Sequence, residues 1–73
     1  MIIGVPREVK ADEYRVALLP SAAYQLSQHG HRVLVETGAG AGSGYPDADY
    51  TEAGAVVLET PEAVFGEADL IVK

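Results

Sequence analysis

Residues 20–38, Pro20-Ser-Ala-Ala-Tyr-Gln-Leu-Ser-Gln-His-Gly-His-Arg-Val-Leu-Val-Glu-Thr-Gly38, hold a helix, its stop and a strand in one stretch. Proline is favoured in a first helical turn, where its missing N–H would have had no partner. Ala22, Ala23 and Leu26 then share one face at helical spacing, and Gly30 supplies a C-terminal stop. Val33-Leu34-Val35, set between Arg32 and Glu36, is a short unbroken apolar run of the kind that forms a strand covered on both faces.

The same alternation extends in both directions. Upstream, Ile2-Ile3-Gly4-Val5 is a buried strand stopped by Pro6, followed by a charged stretch at residues 7–14 and a second apolar run at residues 16–19 that should be buried. Leu19 precedes Pro20 and cannot cap the helix as Ser or Thr would. Downstream, Asp47 is expected to cap a short helix running to Ala53 and stopped by Gly54. Residues 55–58 form a third apolar run. Thr60-Pro61-Glu62 repeats the helix-start signal, giving a brief helix that ends near Gly66, and Leu70-Ile71-Val72 opens a last strand. Strands alternating with helices imply an α/β fold: a parallel sheet of βαβ units, Rossmann-like (flavodoxin-like).

Composition narrows the function classes. The chain has 73 residues, no cysteine and a net charge of −6, with five basic against eleven acidic residues. That balance opposes phosphate backbones and anionic membrane surfaces, so neither nucleic acid nor membrane is expected as a partner. With no signal peptide and no long apolar span, a cytoplasmic location is expected. A chain this size buries only roughly 60% of its unfolded surface and commonly needs further support. Ending on a strand, it reads as a piece of a longer protein; a stand-alone small α/β binding module is the competing reading.

Gly38-Ala39-Gly40-Ala41-Gly42-Ser43-Gly44 invites a nucleotide reading and fails it. No register gives Gly-x-Gly-x-x-Gly, the segment follows the second strand, and Pro46 separates it from the next helix. A tight loop with positive φ angles is the expectation, and no cofactor-binding residue is assigned. His29 and His31 flank Gly30 without an evident third ligand, so they read as surface and cap residues and no metal site is expected. No nucleophile constellation is present, and no residue is assigned as catalytic. Arg15, between the charged stretch and an apolar run, either pairs with Glu8, Asp12 or Glu13 or holds an anionic ligand in bidentate fashion.

Three stretches together resemble one family. Residues 1–20, read as I-I-G-V-P-R-E-V-K-x-x-E-x-R-V-A-L-x-P, are similar to the opening signature of alanine dehydrogenases and the alpha subunit of NAD(P) transhydrogenases. Residues 30–44, G-H-R-V-L-V-E-T-G-A-G-A-G-S-G, resemble their second block, and D-A-D-Y-x-x-A-G-A continues it. The closing A-D-L-I-V-K resembles the strand before a K-E-P segment. The Gly-Ser-Gly ending favours alanine dehydrogenase over the proton-translocating transhydrogenase, which stays as the alternative. Leu19 departs from the Ser or Thr common there.

The resemblance implies that residues 1–73 open the substrate-binding (catalytic) domain of an NAD-dependent enzyme interconverting L-alanine with pyruvate and ammonium. Arg15 matches the arginine that would hold the substrate carboxylate. Lys73 matches the first lysine of K-x-K-E-P rather than the substrate-binding one two positions on, so that role is not carried to it. The catalytic histidine and aspartate and the NAD-binding domain would lie outside this chain. A homo-oligomer, a hexamer in this family, is also implied, and the 73 residues by themselves are expected to be inactive.

Overall fold

The computed structural model of the chain describes residues 1–7 and 18–72. Four strands and three helices alternate: β1 (Ile2–Val5), α1 (Pro20–Gln28), β2 (Arg32–Glu36), α2 (Asp47–Glu52), β3 (Val56–Leu58), α3 (Pro61–Glu67) and β4 (Leu70–Ile71). The strands form one parallel sheet in the order β3-β2-β1-β4. This is the Rossmann order; a flavodoxin-type sheet would set β3 beside β1. Gly4 is in register with Leu34 on one side and Ile71 on the other.

Side chains alternate across the sheet, and each face is covered differently. Val5, Val33 and Val35 join Ala23 of α1 and Tyr50 of α2 in the main core, with Leu26, Val57 and Val72 packed against it. Val33, Leu34 and Val35 are fully buried, as a two-face strand requires. On the opposite face α3 lies against β1, β2 and β3. A Cβ at Gly4 would stand 2.7 Å from Ala68 Cβ and 2.8 Å from Val64 Cγ1, so glycine there sets how closely α3 approaches.

The helix boundaries follow local chemistry with two corrections. Thr60 Oγ1 accepts from the Ala63 N–H at 3.1 Å, the expected cap. Gly30 and Gly54, at φ +86° and +96°, sit beyond the ends of α1 and α2. Asp47 does not cap α2: Pro46 holds that position, Asp47 is the first helical residue, and its carboxylate bonds back to the preceding loop. Leu19, expected to be buried, is 46% exposed, because it takes the cap position of α1 and contributes its carbonyl, which accepts from Ala23 N–H. The other members of that run, Val16 and Ala17, lie outside the described residues, while Leu18 packs against the core.

Candidate functional site

In open α/β sheets, ligands bind beyond the carboxyl ends of the strands where the strand order reverses. Here the chain steps outward from β1 to β2 to β3 and then returns to place β4 on the far side of β1. The reversal therefore lies beside β1, whose end runs directly into Pro6 and Arg7. Among the described residues Arg7 is the strong cation at this edge, for Arg32 stands at the opposite edge, where β2 begins. Arg15 lies in residues 8–17, outside the described residues, as do its candidate partners Glu8, Asp12 and Glu13.

Around this edge the residues after β2 form a fixed arrangement. Glu36 Oε1 accepts the backbone N–H of Arg7 at 2.8 Å. The Thr37 hydroxyl donates to Asp47 Oδ2 at 2.5 Å, and Gly38 N–H donates to Asp47 Oδ1 at 2.9 Å. These two bonds, the hydroxyl's foremost, stabilise the charged form and hold the Asp47 carboxyl below the ordinary aspartate range. The Arg7 side chain passes over Gly38: a Cβ built there would meet guanidinium and Cδ atoms at 3.7–3.9 Å.

Tyr50 supplies the floor. Its ring is fully buried and its hydroxyl donates to the Leu18 carbonyl at 2.8 Å. Burial raises its pKa, with Tyr45 and Asp49 adding to the shift. A Cβ at Gly40 would lie 2.7 Å from Tyr50 Cε2 and 2.8 Å from the Tyr45 carbonyl oxygen. Gly40 is thus a packing glycine at an ordinary negative φ, whereas Gly38 and Gly44 take the positive φ values expected of the loop. Residues Ala41–Ser43 add one 3₁₀ turn.

Tyr50 and Tyr45 fill the space at Gly40, and the Asp47 carboxylate already takes the Gly38 N–H. A second anion at Gly38 would meet that negative charge. A cleft of about 350 Å³ opens between the starts of α1 and α2, lined by Leu19, Pro20, Ser21, Tyr45, Asp49 and Glu52. Its two charged lining residues are acidic, which opposes a carboxylate ligand. His29 bonds through Nδ1 to the Gln25 carbonyl at 2.7 Å within the last turn of α1. Among the described residues no three His, Asp or Glu side chains gather to hold a metal, and no helix is long and apolar enough to cross a membrane.

Glu36, Asp47 and Tyr50 are the residues that reading the sequence did not single out for this edge. Their partners are backbone groups or residues distant in the chain, and spacing carries no signal for those.

The comparisons with known proteins agree with this architecture. The family described as alanine dehydrogenase/PNT, N-terminal domain, matches residues 4–73. An alanine dehydrogenase of Bacillus subtilis (strain 168) is 52% identical over the whole chain, and one of Mycolicibacterium smegmatis is 42% identical. The chain spans only 19% and 20% of their respective lengths. Among solved structures, an L-alanine dehydrogenase superposes with a TM-score of 0.96 at 44% identity. A transhydrogenase from Sinorhizobium meliloti superposes with a TM-score of 0.88 at 38% identity. Each covers all of this chain, which represents 20% of the other. A parallel sheet in this order, matched by the family over nearly its full length, places the chain in the alanine dehydrogenase/PNT N-terminal domain family.

Proposed function

We propose that residues 1–73 open the substrate-binding domain of an NAD-dependent L-alanine dehydrogenase, which oxidatively deaminates L-alanine to pyruvate and ammonium, reversibly. The observation that carries this reading is the double match to alanine dehydrogenase: the solved L-alanine dehydrogenase exceeds the transhydrogenase in both identity and TM-score. The geometry supports it, because β1 ends beside the reversal in strand order and runs into Arg7, eight positions before Arg15 in the sequence.

In this reading Arg15 holds the carboxylate of alanine or pyruvate through its two-pronged guanidinium. NAD is held by a domain outside this chain, in keeping with a glycine-rich loop whose space is taken by tyrosines. The catalytic proton carrier lies outside it as well, so the 73 residues catalyse nothing by themselves. The complete enzyme is a cytoplasmic homo-oligomer, a hexamer.

The test is steady-state kinetics of the full-length protein with pyruvate, ammonium and NADH. Arg15→Ala should raise the pyruvate KM about 100-fold, from the loss of two charge-assisted hydrogen bonds. The NADH KM should stay within about twofold, since NADH is bound elsewhere. Unaltered pyruvate kinetics would remove Arg15 from the site. Hydride exchange between NAD(H) and NADP(H) analogues, without pyruvate-dependent NADH oxidation, would establish the transhydrogenase instead.

A further inference from the structure

The cleft between the starts of α1 and α2 has an apolar wall and an acidic rim. Leu19, which lines it, is 46% exposed, and Tyr24, one helical turn beyond the lining residue Pro20, is 50% exposed. Apolar side chains left in water beside a cleft are the mark of a contact surface, where aromatic residues are enriched. Asp49 and Glu52, three residues apart on α2, set the sign of what can enter, and no basic residue lines the opening. Such a cleft, about 350 Å³ in volume, suits a cation carried on a hydrocarbon stem. The methylenes pack on Leu19 and Tyr45 while the charged head meets the two carboxylates.

A cation of this kind stands at the other end of the sheet. Arg32 opens β2 at the amino edge, exposed, with its backbone N–H held by the Met1 carbonyl at 3.0 Å. Asp69, at that same edge, is engaged by the Ile2 N–H at 2.9 Å. Arg7 lies at the cleft's own edge, along Gly38. Two copies meeting through their carboxyl edges would set Asp49 and Glu52 of one against those of the other, and like charges so placed repel. Two copies meeting head to tail set Arg32 against the acids.

We propose that the cleft between α1 and α2 receives Arg32 of a second copy of this chain, joining the carboxyl edge of one sheet to the amino edge of the next. Heterologous contacts of this kind close into rings where the rotation allows. The inference rests on the self-association in the proposed enzyme and names a surface for it.

The test is the dissociation constant of self-association of the full-length protein, read by light scattering over a dilution series. Arg32→Glu should raise it about 100-fold, by setting a carboxylate against Asp49 and Glu52. Glu52→Lys, at the end of α2 where the helix dipole favours a cation, should raise it comparably by facing Arg32. The double variant, with the charges exchanged, should return to within about tenfold of the native value. Glu52→Gln, which keeps the shape and loses the charge, should weaken association about tenfold, and it carries the test if the lysine variant does not fold. An unmoved constant in Arg32→Glu, or a double variant no tighter than the singles, overturns the contact. A monomeric native protein overturns it together with the oligomer, whereas pyruvate-dependent NADH oxidation in the same samples judges the enzyme reading separately.

Discussion

On the α1–α2 face of the sheet, Val5, Val33 and Val35 stand beneath a buried tyrosine, whereas on the α3 face Gly4 offers no side chain at all. Both faces of the central strands are closed to water: the first by the tyrosine ring over the valines, the second by Leu34 and by the close approach of α3 at Gly4. The first solution leaves a polar atom available in the core layer: the Tyr50 hydroxyl, which reaches the backbone near the sheet edge. At Gly4 the second leaves no room for one, since Val64, Ala68 and Ile71 crowd the strand. The tyrosine face thus brings a polar group to the backbone near the sheet edge, which the packing around Gly4 does not.

The largest break in this comparison should come from Tyr50→Ala. It removes a fully buried aromatic ring and leaves a cavity beneath α2, at a cost of about 3–5 kcal/mol. The unfolding midpoint of the full-length protein should fall markedly. A shift as small as that of Tyr50→Phe would show that the ring is not what fills this face. The α3 face should fail differently. Gly4→Ala adds one methyl where three carbons already stand at 2.7–3.0 Å, and overpacking of this kind costs about 1–3 kcal/mol. Pairing it with Ala68→Gly, which removes the nearest of the obstructing carbons, should recover part of the midpoint. No recovery would mean that α3 is not held at the distance Gly4 sets.

The fold was legible because local and long-range signals agree. Pro20 and Gly30 bracket α1, Thr60 caps α3, and the Val33-Leu34-Val35 run marks a strand buried on both faces. The order of strands was not, because alternation fixes parallel βαβ units without saying on which side of β1 the next strand lands. At the site, Gly40 illustrates what a sequence withholds: it resembles its neighbours in a glycine-rich loop, yet its role is to admit a tyrosine ring. Asp47 is similar. Its position before a helical run suggests a cap, and the bonds it makes instead, to Thr37 and Gly38, depend on how the loop folds back. Arg15 was reached through resemblance, since its own neighbourhood favours an ion pair.

The smallest effect separates the two faces by pH. Asp47 anchors the loop on the α1–α2 side as an anion, and its carboxyl is held below its ordinary value by Thr37 and Gly38. A group depressed on folding contributes stability that is fully present above its unfolded pKa of about 3.9 and is lost as pH falls through the folded value. The difference in midpoint between the native sequence and Asp47→Asn should therefore hold constant from about pH 8 to about pH 5 and shrink below about pH 4. Thr60, which caps α3 on the other face through a neutral hydroxyl, supplies the contrast. The Thr60→Ala difference, about 1 kcal/mol, should not vary with pH over the same range. If both differences shrink together in acid, the loss is global and the Asp47 charge is not what secures the loop; if only the Asp47 difference shrinks, the loop after β2 is held by an ionised anchor, unlike the neutral cap at Thr60.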